Sequence, residues 1–132
     1  FSIASDSTIN GIIVHCKAIA GATSPSNGDG ARMAISLSVN GGVDYTAVKN
    51  ANFGLTESTI DAGGATNIWG LTSPTGADFT NTNFRCRSVL SAWIGTGDVI
   101  SINWIPITIY YTDVASPTVI QQVNHVLFFA GD

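Results

Sequence analysis

The sequence predicts an all-β fold, an antiparallel β-sandwich of about eight strands in jelly-roll or immunoglobulin-like style. Three observations predict it. No segment sustains the 3.6-residue apolar period of a helix, and Gly or Pro interrupts most candidates. Short runs of strand-forming residues, several with clean apolar–polar alternation, recur along the chain. Between them lie clusters of Gly, Ser, Asn and Asp, which turns use because these residues tolerate positive φ or hydrogen-bond their own backbone.

The first strand is predicted over residues 11–20, with Ile12, Val14, Cys16 and Ala18 on one face and His15 and Lys17 on the other. Residues 21–30 hold Ser, Pro, Asn, Asp and Gly and form a loop. Over residues 32–39, Met33, Ile35, Leu37 and Val39 alternate with Ala34, Ser36 and Ser38. Asn40-Gly41-Gly42 then predicts a hairpin turn, with residues 43–49 returning as the partner strand. The stretch 51–82 is loop-like, with a short strand at 56–61 that Gly63-Gly64 ends. An apolar island within it, Ile68-Trp69-Gly70-Leu71, is expected to plug one end of the fold.

Residues 83–94 form a further strand, with Phe84, Cys86 and Leu90 on one side and Arg85 and Arg87 on the other, followed by a turn at 95–98. Residues 99–112 carry the strongest signal. Val99, Ile105, Ile107, Ile109 and Tyr111 are assigned to one face, and Ile100, Ile102, Trp104 and Tyr110 to the other. A strand that is apolar on both faces is covered on both, so the second face is expected to meet a neighbouring subunit. Pro106 lacks an N–H, which favours an edge or a bulge at that position. A Pro-containing link at 113–118 leads to the apolar run 119–130, with Val119, Val123, His125, Leu127 and Phe129. This run is either a last strand or an arm that adds to the sheet edge of another subunit. The organisation expected is thus a domain at 1–112 followed by a linker and apolar arm at 113–132.

Length and charge narrow the function. A chain of 132 residues is one domain's length and can bury a core without metals or disulfides. Only 11% of its residues are charged against 45% hydrophobic, where soluble domains carry roughly 25% charged residues. Part of the surface is therefore expected to be covered by partners. Net charge is −4, and Lys17, Arg32, Lys49, Arg85 and Arg87 are scattered. Nucleic-acid binding is disfavoured, because phosphate neutralisation needs clustered positive charge. No apolar run approaches the roughly 20 residues of a membrane helix, so membrane insertion is not expected. The chain begins at Phe1 within a strand-like segment, which fits either a removed upstream segment or an excised fragment.

Cys16 and Cys86 are both expected to face inward. The preferred reading is two buried thiols, since Cys packs as a small hydrophobe. A disulfide between them remains open and needs Cα atoms within about 7 Å.

Several patches in order carry a resemblance: Phe1-Ser2-Ile3 with Ser7-Thr8-Ile9-Asn10-Gly11-Ile12, Gly63-Gly64 with Ile68-Trp69-Gly70, Asn83-Phe84, and Asn103-Trp104-Ile105-Pro106-Ile107-Thr108-Ile109-Tyr110-Tyr111-Thr112. The set resembles a β-sandwich domain of structural and tail-associated proteins in tailed bacteriophages and prophages. It covers residues 1–112, starts after the strand that usually opens the type, and leaves residues 113–132 beyond its usual end. The resemblance implies a virion setting and no catalytic residues. One hypothesis links its two departures: this chain's C-terminal arm, or a neighbour's, fills the edge where the missing strand would lie.

The residues themselves offer little chemistry. His15, on an outward face beside Lys17, is expected to be a solvated or edge histidine and not a ligand, and His125 to hydrogen-bond at an interface. Glu57 is the single glutamate, and the aspartates mostly fall in turns. Asn27-Gly28-Asp29-Gly30 lacks the remaining ligands of a calcium loop, and no phosphate-loop, dinucleotide or Gly-x-Ser-x-Gly pattern occurs. No enzyme activity, cofactor or metal is expected. The function expected is structural: a homo-oligomeric capsid-decoration or tail/fibre component, contacting copies of itself and other virion proteins through Ile100, Ile102, Trp104, Tyr110 and the 119–130 arm. Two alternatives are a carbohydrate- or receptor-binding module, with Trp93 as the cell-surface glycan contact and loops 21–31, 62–82 and 95–98 as its face, and a secreted subunit of a strand-exchanged extracellular filament.

Overall fold

The computed structural model describes residues 2–20, 31–90, 100–114 and 116–127, with backbone pairing alone described for Ala31 and for 116–127. The 21–30 loop, Trp93, Val99, Phe129 and the 95–98 turn lie outside the described residues. Among the described residues the fold is all-β, with seven strands: β1 Thr8–Ala20, β2 Ala31–Ser38, β3 Lys49–Phe53, β4 Ser58–Gly64, β5 Arg85–Leu90, β6 Ile100–Asp113 and β7 Ser116–Leu127. One sheet has the order β4-β1-β6-β7 and the other β3-β2-β5. Every described strand pair is antiparallel.

Alternation builds the core. Ile12, Val14, Cys16 and Ala18 of β1 and Ile105, Ile107 and Ile109 of β6 are fully buried, while Ile13, His15, Lys17 and Ile19 between the β1 set are only half-buried. The second sheet supplies Met33, Ile35 and Leu37 of β2, Ala51 and Phe53 of β3 and Cys86 of β5 to the same cluster. One core therefore joins both sheets, and hiding aliphatic surface from water, at about 25 cal/mol per Å², is the main force holding them together.

The hairpin after β2 differs from expectation. Residues 43–48 form no strand, and the return strand begins at Lys49. Side chains take the backbone groups that a ladder would need. Ser38 Oγ accepts from the Gly42 N–H at 2.9 Å, and Asn40 Oδ1 accepts from the Asp44 N–H at 3.0 Å. Thr46 then anchors the loop, its N–H donating to the Leu37 carbonyl at 2.8 Å.

β4 is shifted as well, running to Gly64 instead of stopping before Gly63. Gly63 does not break it. It takes φ +103°, and a Cβ there would lie 2.1 Å from the Ile12 carbonyl oxygen, so glycine allows the tight approach of β4 to β1. The Trp69 island does plug the core. The ring is 4% exposed, and its Nε1–H donates to the same Ile12 carbonyl at 3.0 Å.

β6 departs most from the pattern. Val14 pairs with Ile107 and Lys17 with Trp104, but Ala18 pairs with Ile102. Asn103 is thus an extra residue, a β-bulge, and a one-residue shift moves every later side chain to the other face. Ile100 and Ile102 stand opposite Ala20 and Ala18, both core residues, and Ile100 packs against the core. The expected outer row of Ile100, Ile102, Trp104 and Tyr110 is therefore divided, with Ile100 turned inward. Pro106 lies on an interior strand and not at an edge; the β1–β6 ladder steps from Ile107 to Trp104 past it, just before the bulge.

The C-terminal run is the fourth strand of the larger sheet. β7 pairs with β6 of its own chain, with Val123, His125 and Leu127 in register with Ile109, Ile107 and Ile105.

Candidate functional site

The face of the larger sheet turned away from the core gathers the chain's polar chemistry. Three adjacent strands supply it. β4 places Asp61 directly opposite His15 of β1, and β6 places Thr108 opposite Ile13, one step diagonal to His15. The resulting row is hydrogen-bonded end to end. His15 Nδ1 lies 2.7 Å from Asp61 Oδ1, and His15 Nε2 lies 2.9 Å from Thr108 Oγ1. A carboxylate only accepts, so the Nδ1 proton belongs to the Asp61 bond. In the neutral ring Nε2 is then the acceptor, and the Thr108 hydroxyl donates to it.

An acid–imidazole–hydroxyl row has the connectivity of a nucleophilic triad. Accessibility argues against that use. Thr108 is fully buried although its pair partner Ile13 is on the outward side, so its hydroxyl has no open approach for a substrate. The row ties β4, β1 and β6 together across the outer face. His15 is thus a partly exposed side chain bonded at both ring nitrogens, and Asp61 lies within a strand and not in a turn.

A second polar group lies two residues along. Lys17 Nζ sits 2.9 Å from Glu57 Oε1, and the Asn103 side-chain amide donates to Glu57 Oε2. The bulge makes this possible by projecting Asn103 out of the ladder. Trp104 stands directly opposite Lys17 and is 41% exposed.

The apolar surface is concentrated at the same end. β1, β3 and β5 finish there, and β2, β4 and β6 begin there, as the Ala20–Ile100, Ala18–Ser58, Ala31–Phe53 and Met33–Leu90 pairs show. Of the eight large hydrophobic residues exposed among those described, five are at this end: Leu55, Val89, Leu90, Ile102 and Trp104. Tyr110, at the other end of β6, is half-buried opposite Gly11.

Other regions offer less. An open depression of about 230 Å³ lies between Leu37–Asn40, Asp44–Thr46 and Gly70–Thr72, below the roughly 300 Å³ at which small-molecule pockets begin. Among the described residues no three His, Cys, Asp or Glu side chains converge as metal ligands, and no helix is long and apolar enough to cross a membrane. Cys16 and Cys86 are free and buried, and burial pushes each thiol up to about 12.

Of the predicted contact residues, the structure leaves Ile102 and Trp104 exposed at one end of β6 but opposite Ala18 and Lys17, on different faces across the bulge, turns Ile100 inward and leaves Tyr110 apart. Val119, Val123, His125 and Leu127 lie on β7, whose side chains are outside the described residues. Sequence reasoning missed the Asp61–His15–Thr108 row because its members are 46 and 93 residues apart in the chain. The only local signal was a histidine on the polar side of an alternating strand. Comparison with protein-family models, curated proteins and solved structures finds no match to this chain.

Proposed function

We propose that this chain is a non-enzymatic structural subunit, a β-sandwich of jelly-roll or immunoglobulin-like style that self-associates in a virion of tailed-phage type, as capsid decoration or as part of a tail or fibre. The observation that carries the reading is the exposed apolar end formed by Leu55, Val89, Leu90, Ile102 and Trp104. Exposed apolar side chains gathered at one end of a domain with so few charges mark a contact region. The ordered patches over residues 1–112 supply the virion setting. The edge strands β3, β4, β5 and β7 add backbone groups through which subunits can pair.

Sedimentation velocity over a wide concentration range tests the contact surface. The parent chain is expected to associate, and the Ile102→Ser/Trp104→Ser double variant to sediment as a monomer with unchanged secondary structure. A parent chain that stays monomeric throughout, or a variant that associates equally well, overturns the contact surface. Antibody-gold labelling of intact particles tests the setting, and label confined to cellular filaments would move the reading to the extracellular-filament alternative.

A second reading, a glycan- or receptor-binding module, is favoured by one observation. Trp104 is half-exposed next to Lys17, Glu57 and Asn103, an aromatic face with charged and amide groups at its rim. The glycan contact first expected, Trp93, lies outside the described residues. Glycan binding that Trp104→Ser abolishes in a monomeric chain would favour this reading over assembly.

A further inference from the structure

Each sheet has an outer face, and the two differ in how their charges are balanced. On the larger sheet the bases are paired, Lys17 with Glu57 and His15 with Asp61. The carboxylate is the more exposed member of each pair, most clearly Asp61 at 55% against 24% for His15. On the three-stranded sheet, Met33, Ile35, Leu37 and Cys86 turn to the core, so the residues alternating with them turn outward. These include all three arginines of the chain, Arg32 on β2 and Arg85 and Arg87 on β5, each exposed. Neutral groups hold them. Arg32 Nε donates to Asn52 Oδ1 at 3.3 Å, and Arg85 Nη1 to the Asn81 and Phe84 carbonyls at 2.8 and 2.7 Å. Arg87 Nε donates to Ser36 Oγ at 3.3 Å, and its guanidinium stacks on Tyr45, 3.9 Å from the ring centre. Among the described residues no carboxylate pairs with any of the three. Guanidinium groups held in place without a counter-charge are suited to a partner's carboxylates, which their planar fork matches.

We propose that the partner is a second copy of this chain, whose larger-sheet outer face, with Glu57, Asp61 and Trp104, seats on this arginine face. This contact rests on the self-association proposed above and names the two surfaces that meet. Charge favours it, because apart from the three arginines the chain sets nine carboxylates against Lys17 and Lys49. Spacing favours it too. Arg87 stands opposite Ser36, four residues along β2 from Arg32, and Glu57 and Asp61 are likewise four residues apart along the line of β4. Both separations are about 13 Å at the rise of a strand. Each face also carries an exposed apolar side chain among its charges. Val89 lies opposite Ala34, between the Arg87 and Arg32 positions, and Trp104 lies opposite Lys17, the partner of Glu57. An apolar centre with a charged rim is common interface anatomy. Two arginine faces brought together would set guanidinium against guanidinium, so the contact is heterologous, each copy offering one face and receiving on the other. Such a contact closes into a ring or grows into a filament.

The test is a charge swap read by sedimentation velocity at low ionic strength, with circular dichroism checking the fold of each variant. Arg32→Glu/Arg87→Glu reverses one face and Glu57→Lys/Thr59→Lys the other. All four positions are exposed, and the Asp61–His15–Thr108 row keeps its residues. Each variant alone is expected to sediment as a monomer at concentrations where the parent associates, because its two faces then carry the same sign. An equimolar mixture is expected to regain the parent's association, since each reversed face then meets an opposite one. Added salt is expected to weaken the parent and the mixture alike.

Folded variants that associate as the parent does overturn the proposal and leave the exposed apolar end as a contact surface. A mixture that stays monomeric overturns it as well, because loss without rescue does not depend on complementary charge. A parent chain that is monomeric at every concentration overturns the self-association itself, and this contact with it. For a double variant that does not fold, the single substitution Arg32→Gln or Glu57→Gln takes its place. Association weaker than the parent's is then expected, and parent-like association overturns the proposal.

Discussion

The two faces of the larger sheet are made from the same strands and held by opposite means. Toward the core, β1 and β6 present Ile12, Val14, Ile105, Ile107 and Ile109, all fully buried. Away from it, the same strands present His15, Lys17 and Thr108, which hold Asp61 and Glu57 in a polar mesh. The inner face gains from area removed from water and is insensitive to pairwise geometry. The outer face gains from short directed bonds, each worth about 1 kcal/mol net, with a larger penalty where a partner is removed from a buried group. Substitutions on the two faces should therefore differ in size and in kind.

The largest expected effect is on the inner face. Ile107→Ala removes a fully buried side chain at the centre of β6, and denaturant unfolding is expected to show a loss of about 2–5 kcal/mol. A loss below about 1 kcal/mol would mean that the site is not packed as described.

Alkaline pH probes the same core chemically. In the folded chain the thiols stay protonated up to about 12, against an ordinary value of 9.0. The unfolded chain ionises first, so the stabilisation present below pH 9 is lost as pH rises toward the folded value, at up to about 1.4 kcal/mol per pH unit for each thiol. A Cys16→Ala/Cys86→Ala variant is expected to flatten the stability profile above pH 9 relative to the parent. Identical profiles would show that the thiols are not shielded.

The outer face should respond less. Thr108→Val keeps the volume but removes the hydroxyl that reaches His15 Nε2, and a loss of about 1–3 kcal/mol is expected from the unmatched imidazole. The smallest effect is expected at the rim. Lys17 and Glu57 are each about a third or more exposed, so Glu57→Gln should cost less than about 1 kcal/mol, and the difference should vanish at high salt.

Much of the inner face was legible in the chain. Alternation from Ile12 to Ala18, from Met33 to Leu37 and from Ile105 to Tyr111 assigned those residues to the core, and all are buried. The Trp69 island was legible too, because an apolar cluster in a polar stretch has few places to go. The misread segments share one cause. In residues 43–48, side-chain acceptors on Ser38 and Asn40 displaced the expected ladder. In residues 100–103, a single bulge reversed the faces. Strand periodicity assumes an unbroken count of two, and one extra residue or one captured N–H resets it without changing the composition of the segment.

What the sequence by itself determined is the all-β class, the aliphatic stripes that fill the core and the shortage of charge. These depend on local residue type and on burial, which has no directional requirement. Only the tertiary structure decided the register of β6 against β1, the inward turn of Ile100, and the meeting of Asp61, His15 and Thr108. Register is set by which backbone groups find partners across 46 and 93 residues of chain, and no local pattern carries that information. The polar row is a product of that choice, since the same residues shifted by one position would face opposite sides of the sheet.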